Sequence, residues 1–423
     1  MKLIVRQSRP QGAVAIPGSK SHTIRAVVIA SLAHGESCIR KPLNSLDTQA
    51  AARACRAFGA RIEEQGEDWI VQGVGGALHV PDDVVDVANS GTTLYVLLGT
   101  GALLDGCAVF TGDEQIRKRP AQPLIDSLRD LGADIFSTRG NGMVPIVVRG
   151  PLKGGTTSME ALTSQWVTGL LINAPLAERD TEIRVSGLNE QPYVQITLNW
   201  LESQDIDVSH DNMEVFRIRG GQSYHGYSAQ VPADFSSATF FLCAGALDGA
   251  KVLLQGLDMN DSQGDKAVVG MVRDMGAAVD EGADGIRVTG RGLQGIEIDM
   301  NATPDAIPAM AVVGCLAEGA TRLVNVPQAR VKETDRIAVM HEELAKMGAE
   351  VEELPDGLVL HHSALKGARV DGHGDHRVVM ALAVAGLAAE GVTEIESAEA
   401  MGVTFPDFVE LMTGLGADME LVQ

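Results

Sequence analysis

The stretch DSLRDLGADI, from Asp126 to Ile135, reads as the end of a helix, a glycine stop and the start of a strand. Gly132 follows the last apolar helical residue, the place where a chain leaves a helix through a left-handed conformation. The same phrase recurs along the chain. ACRAFGARI (Ala54–Ile62) carries Gly59, TLNWLESQDIDV (Thr197–Val208) has Asp205 in the glycine place, and VRDMGAAV (Val272–Val279) carries Gly276. ELAKMGAEV (Glu343–Val351) and LMTGLGADM (Leu411–Met419) follow with Gly348 and Gly416. Successive stops from Gly59 to Gly416 lie 73, 73, 71, 72 and 68 residues apart.

A second series interleaves with the first. SKSHTIRAVVIASLA opens at Ser19, NSGTTLYVLLGTGALL at Asn89, TSQWVTGLLINAPLA at Thr163, DFSSATFFLCAGAL at Asp234, TPDAIPAMAVVGCLA at Thr303 and GDHRVVMALAVAGLA at Gly374. Each opens on a good N-cap residue and then turns apolar on all sides, the pattern of a buried helix. Alternating stretches such as DWIVQGV, VPIVVRG and GIRVTG lie between them and read as strands. Chance could produce five Gly-Ala turns in an Ala/Gly-rich chain, but an interval shared by two independent series makes that improbable. The unit is a mixed α/β repeat of about 70 residues, present six times and grouped as two sets of three.

Composition narrows the function classes. A chain of 423 residues exceeds one ordinary core, and 45% hydrophobic with 21% charged residues excludes extensive disorder. The formal charge of -22 would repel a phosphate backbone, so no nucleic-acid partner is expected. No apolar run reaches the roughly 18–20 residues of a membrane span, and MKLIVRQSRP lacks the apolar core of a secretory signal. The five cysteines (Cys38, Cys55, Cys107, Cys243, Cys315) form no CxxC pair and read as reduced residues of a cytoplasmic protein.

Against that acidic background, local gatherings of Lys and Arg are informative. Polar exceptions collect where the apolar helices begin: Lys20, Ser21 and Arg25; Asn89, Ser90 and Gly91; Thr163, Ser164 and Gln165; Asp305; Asp375, His376 and Arg377. A helix N-terminus offers unbonded N–H groups and partial positive charge, so converging ends would hold phosphate or carboxylate. Each basic residue alone could be a solvated surface charge; their matching repeat positions favour a site. GDEQIRKRP adds Arg117, Lys118 and Arg119, and RVKETDR adds Arg330, Lys332, Glu333, Asp335 and Arg336. If that last segment is helical, Lys332 and Arg336 share one face.

These residues resemble the 5-enolpyruvylshikimate-3-phosphate synthase family over essentially the whole chain. The resemblance rests on PGSKSHTIRA (Pro17–Ala26), NSGTT (Asn89–Thr93), RKRP (Arg117–Pro120), TSQ (Thr163–Gln165), PYVQITL (Pro192–Leu198), DFSSATFFL (Asp234–Leu242), DMNATPDA (Asp299–Ala306), RVKETDR (Arg330–Arg336), GDHR (Gly374–Arg377) and TFPDF (Thr404–Phe408). It implies an α/β fold of two inverse α/β barrel domains, each of three βαβαββ repeats, with an interdomain active-site cleft. One domain would span 19–230 and the other 1–18 plus 231–423, with crossovers near Gly18 and Val231. The implied reaction adds the 5-hydroxyl of shikimate 3-phosphate to phosphoenolpyruvate and then eliminates phosphate.

Carried over by position, Lys20, Asp305 and Glu333 would be catalytic. Lys20, Ser21, Arg25, Thr163, Ser164, Gln165, Asp305, Gln328 and Lys332 would bind shikimate 3-phosphate. Lys20, Asn89, Gly91, Arg119, Gln165, Glu333, Arg336, His376 and Arg377 would bind phosphoenolpyruvate. No metal and no cofactor are implied, although DGHGDHR sets His373 and His376 beside Asp371 and Asp375. The partners would be these two small molecules, handled by a monomer.

The chain departs from the family at Ile24, Tyr95 and Val403, and most sharply at Glu190-Gln191, where the family has Ser-Lys or Thr-Arg against the shikimate phosphate. A carboxylate there would repel a phosphate by roughly 1–4 kcal/mol at about 4 Å. Glu190 therefore either turns away or marks a divergent paralogue with another anionic acceptor. The cell-wall carboxyvinyl transferase, a sister of the same fold, typically uses a Cys before its Arg-Pro, and GDEQIRKRP has none.

Overall fold

All six stops adopt one backbone geometry, and it carries the repeat into three dimensions. In the computed structural model, which describes residues 1–423, Gly59, Gly132, Gly276, Gly348 and Gly416 have φ between 84° and 111°, and Asp205 has φ 54°. After each stop the next N–H reaches back five residues to a helix carbonyl: Ala60 to Cys55, Ala133 to Leu128, Ile206 to Leu201, Ala277 to Val272, Ala349 to Leu344 and Ala417 to Met412. This is the 6→1 bond of a Schellman turn, and it satisfies carbonyls the helix end would leave open. Aspartate tolerates the left-handed region because its short polar side chain bonds locally, so Asp205 can stand in for glycine.

The chain forms two compact units, Gly18–Val231 and Met1–Pro17 with Pro232–Gln423. The first contains α1 (Lys20–Leu32), α2 (Leu46–Ala57), α3 (Gly91–Gly101), α4 (Gln122–Asp130), α5 (Ser164–Asn173) and α6 (Gln191–Glu202). The second contains α7 (Phe235–Ala246), α8 (Ala267–Asp274), α9 (Ile307–Leu316), α10 (Arg336–Lys346), α11 (His376–Ala388) and α12 (Phe408–Gly414). Odd-numbered helices are the all-apolar series. Every residue of α3 and α7 is buried, whereas α4 buries only Leu124, Ile125, Ser127 and Leu128.

Six four-stranded sheets accompany the helices, and all share one order. In the repeat around α5, strand Gly155–Glu160 runs parallel to Thr181–Ser186, which pairs antiparallel with Val215–Ile218, itself antiparallel to Val208–Asp211. The buried helix is the crossover of the parallel pair, and the exposed helix leads to the closing hairpin. Three repeats are completed by distant segments. Ser228–Gln230 supplies the parallel edge beside Glu36–Arg40, Gln11–Ala15 supplies it beside Lys251–Gln255, and Lys2–Arg6 sits between Val392–Glu396 and Asp418–Val422.

Each unit has its own core. In the first, α3 and α5 cross so closely that a Cβ on Gly169 would collide with the Tyr95 carbonyl. Asn173 staples this crossing. Its Nδ2 donates to the carbonyls of Val96 and Gly169 at 2.9 and 2.8 Å, and its Oδ1 accepts from Thr100 Oγ1 at 2.9 Å. A buried amide with every group satisfied specifies one register for the two helices, and so fixes where their N-termini lie.

The two apolar starts in the second unit that hold most closely to their caps are Asp234, which accepts from Ser237 N at 3.0 Å, and Asp375, which accepts from Arg377 N at 2.9 Å. The fifth apolar helix opens at Ile307 rather than Thr303. Pro304 and Asp305 form a turn ahead of it, and the Asp305 carboxylate is committed to arginines instead of to its own helix.

Replacing Gly132 by alanine forces a Cβ into φ 103° and is expected to cost about 1–3 kcal/mol. Asp205→Gly relieves a left-handed residue but frees the unfolded chain, so its effect should stay within about 1 kcal/mol. Urea unfolding followed by circular dichroism measures both; equal losses at the two stops would contradict the shared geometry.

Candidate active site

The polar starts of the buried helices form one group in each unit. In Gly18–Val231, α3 and α5 begin side by side, with Gln165 Nε2 donating to Thr92 Oγ1 at 3.0 Å. Ser90 caps α3 through Thr93 N at 3.4 Å, and Thr163 caps α5 through Gln165 N at 3.4 Å. The buried Arg119 guanidinium lies against the start of α3. A Cβ on Gly91 would collide with Arg119 Nη1 and touch Gln165 Oε1 at 3.4 Å, so only glycine permits this approach. Tyr95 Oη donates to the Pro120 carbonyl at 2.9 Å, tying the residue after Arg119 to α3.

Arg25 brings α1 to the same place. It is buried, and burial pushes its guanidinium down to about 10. Nε donates to Thr197 Oγ1 (2.9 Å), Nη1 to the Ser21 carbonyl (2.8 Å), and Nη2 to Thr168 Oγ1 (3.2 Å) and the Tyr193 carbonyl (2.9 Å). Four of the five guanidinium N–H groups are thus used in fixing α1 to α5 and α6. Lys20 Nζ reaches Asp47 Oδ2 at 3.2 Å. Asn89 spends its amide on Asp113 Oδ2 at 2.7 Å and on Gln115, so it shapes the loop ahead of Arg119.

Glu190 resolves the sharpest departure in the sequence. Its side chain does not turn away. The carboxylate is 1% exposed, and Oε2 accepts from Ser164 N (3.1 Å), Ser164 Oγ (2.7 Å) and Thr163 Oγ1 (3.2 Å).

The second unit gathers α9, α10 and α11 around Arg336, which is 1% exposed. Nη1 meets Asp305 Oδ1 at 2.7 Å, Nη2 meets Glu333 Oε2 at 2.6 Å, and Nε meets Asp375 Oδ2 at 2.8 Å. Arg377 Nη2 takes the other oxygen of Asp305 at 2.8 Å. Burial alone would lower Arg336, but the charges of Asp375, Glu333 and Asp305 hold it well above the usual arginine range. Burial would likewise raise Asp375, and Arg336 instead keeps it below the usual carboxylate range.

One expectation changes here. Lys332 and Arg336 do not share a helical face, because residues 332–335 bend and α10 begins at Arg336, where Asp335 caps Ala338 N at 3.0 Å. The bend aims Glu333 back at Arg336. At the start of α7, Asp234 accepts from Ser237 Oγ at 2.6 Å. Gln328 is buried and donates to the Asn301 carbonyl at 2.9 Å, and His376 is buried at the first position of α11.

Asp375 stands among the polar helix starts of the sequence but carries no expected role, and Asp47 is not among them. Asp375 was legible as an N-cap; Asp47, distant in sequence from Lys20, was not. Elsewhere, Glu342, Glu343 and His373 lie together, but Lys346 balances the acids at 2.9 and 2.8 Å. Burial pushes the Cys55 and Cys315 thiols up to about 12, leaving them protonated at neutral pH.

The profile of the EPSP synthase (3-phosphoshikimate 1-carboxyvinyltransferase) family matches residues 4–412. The chain belongs to this family. It is 54% identical to a 3-phosphoshikimate 1-carboxyvinyltransferase of Acetivibrio thermocellus over 99% of both chains. Against the protein of that name from Ruminiclostridium cellulolyticum it is 51% identical over 100% of both chains. An EPSP synthase structure from Acinetobacter baumannii superposes with a TM-score of 0.84 at 29% identity, covering 100% of each chain. The α/β fold of small mixed sheets is that of the EPSP synthases. No helix is long and apolar enough to cross a membrane.

Asp375→Asn leaves the buried Arg336 short of its main counter-charge and should cost about 3–5 kcal/mol near pH 7. A depressed carboxylate stabilises the fold above its unfolded value, here 3.8, and loses that contribution as pH falls through its lower folded value. The gap in Tm between native protein and Asp375→Asn should therefore hold from pH 7 to about 4 and narrow below it. A gap unchanged at pH 3 would count against the pair.

Proposed function

We propose that this chain transfers the enolpyruvyl group of phosphoenolpyruvate to the 5-hydroxyl of shikimate 3-phosphate, releasing phosphate. The observation that carries the reading is the pair of guanidiniums held on one carboxylate, Arg336 and Arg377 at 2.7 and 2.8 Å from Asp305. Two cations repel each other and stay together only around an anion; a substrate bearing both carboxylate and phosphate can replace that anion.

The chemistry assigns a role to each group. The acceptor oxygen bonds to C2 of phosphoenolpyruvate while a proton reaches its methylene carbon. The resulting tetrahedral adduct then loses a methyl proton as the C2–O bond to phosphate breaks. Asp305 holds the acceptor hydroxyl and takes its proton, Glu333 gives and recovers the carbon proton, and Lys20 serves as acid and base at the bridging oxygen. An arginine-bound aspartate is a weak base, so phosphoenolpyruvate contributes by drawing Arg336 and Arg377 to its own charges and releasing Asp305. Arg119, beside Gly91 and Gln165, clamps the same substrate, with Asn89 ordering its loop and His376 lining the start of α11. Ser21 and Arg25 take the acceptor carboxylate; Thr163, Ser164, Gln165, Gln328 and Lys332 take its phosphate and hydroxyls. No metal or cofactor enters this scheme. We read the enzyme as a cytoplasmic monomer.

A second reading, a sister transferase with another hydroxylated anion as acceptor, is favoured by Glu190 alone. Phosphate release from phosphoenolpyruvate separates the two: strict dependence on shikimate 3-phosphate supports the synthase, and activity only with another acceptor overturns it. Glu333→Gln should lower kcat at least 100-fold while shikimate 3-phosphate still binds by calorimetry; loss of both would remove Glu333 from proton transfer. Gly91→Ala, by pushing Arg119 aside, should raise the KM for phosphoenolpyruvate at least tenfold and leave the Kd of shikimate 3-phosphate alone within threefold.

A further inference from the structure

Glu190 is the first residue before α6, yet its side chain serves α5. The residues next to it are pinned: Asn189 N donates to the Ala161 carbonyl at 3.3 Å, and Asn189 Nδ2 donates to the Leu162 carbonyl at 3.2 Å. Glu190 itself sits at φ 59° and ψ 38°, a left-handed conformation that glutamate seldom adopts. Its carboxylate oxygen collects three donors from Thr163 and Ser164, one of them a helix N-terminal N–H. That is the arrangement by which a helix start holds a phosphate oxygen. The same donors cannot hold a carboxylate and a phosphate together, and two anions sharing them in a buried place repel strongly.

The same short segment also faces Arg25, whose Nη2 donates to the Tyr193 carbonyl at 2.9 Å. Gln191, next in sequence, is exposed, whereas Glu190 is buried.

We propose that Glu190 is an internal anion gate at the acceptor's phosphate subsite: its carboxylate holds the start of α5 until the phosphate of the acceptor displaces it. The gate deepens the function proposed above and rests on the acceptor carrying a phosphate. A carboxylate that occupies the donors weakens binding of phosphate monoesters and favours only acceptors whose other contacts repay the displacement. Glu190 is thus a specificity-determining residue for the acceptor, and the donor substrate is indifferent to it.

Inorganic phosphate is a sufficient probe. Trp166, two residues past Ser164 in α5, reports binding by its fluorescence. Glu190→Gln keeps the shape and removes the charge, and should bind inorganic phosphate at least fivefold more tightly than the native protein. The KM for shikimate 3-phosphate should fall in parallel, with the KM for phosphoenolpyruvate moving less than twofold. Should Glu190→Gln fold poorly, Glu190→Asn, whose side chain tolerates the left-handed region, replaces it. Phosphate binding that is equal or weaker in the neutral variant overturns the gate and makes Glu190 a plain cap of α5. If neither protein turns over shikimate 3-phosphate, the proposed reaction fails, and the phosphate titration still decides the gate.

Discussion

Helices that are apolar on every side can exist only inside the protein, and their first N–H groups must then be satisfied without water. Everything polar about this chain's candidate site follows from that constraint. A buried N-terminus attracts an anion, and the anion must come from the chain or from a substrate. In the second unit the answer is Asp375 over α11, braced by Arg336. In the first it is Glu190 over α5.

Charge assembled this way is expensive unless it is paired. Arg336 has almost no contact with water, and three carboxylates compensate it. Removing one partner strands a buried charge, whereas offering another anion merely exchanges one partner for another. A binding site built on this principle is held together by its own acids when no substrate is bound. The overall excess of acid, -22, does not oppose it, because the arginines are shielded within the fold.

Tyr95 and Glu190, two of the departures noted in the sequence, each have a local structural account. Tyr95 places a hydroxyl on the Pro120 carbonyl and an aromatic edge against Trp166, holding the segment of Arg119 from beneath without adding charge. Glu190 instead places a buried carboxylate on the start of α5.

The repeat was legible in the chain itself, because a glycine stop, an all-apolar helix and an alternating strand each have a local cause. Even Asp205, the irregular stop, betrayed its place by spacing. The candidate residues at or near the mouths of the greasy helices were legible too, Lys20, Arg25 and Arg119 in one unit and Asp305, Glu333, Arg336 and Arg377 in the other, since charged residues there have few structural reasons to be present. Which carboxylate meets which arginine was not, for Arg336 and Asp375 stand 39 residues apart, Asp305 and Arg377 further still, and both pairs depend on how α9, α10 and α11 pack. Nor could the chain alone say whether Glu190 turned toward Ser164 or away. That choice lies in one left-handed backbone angle and a donor set on another helix, and only the folded unit brings the two together.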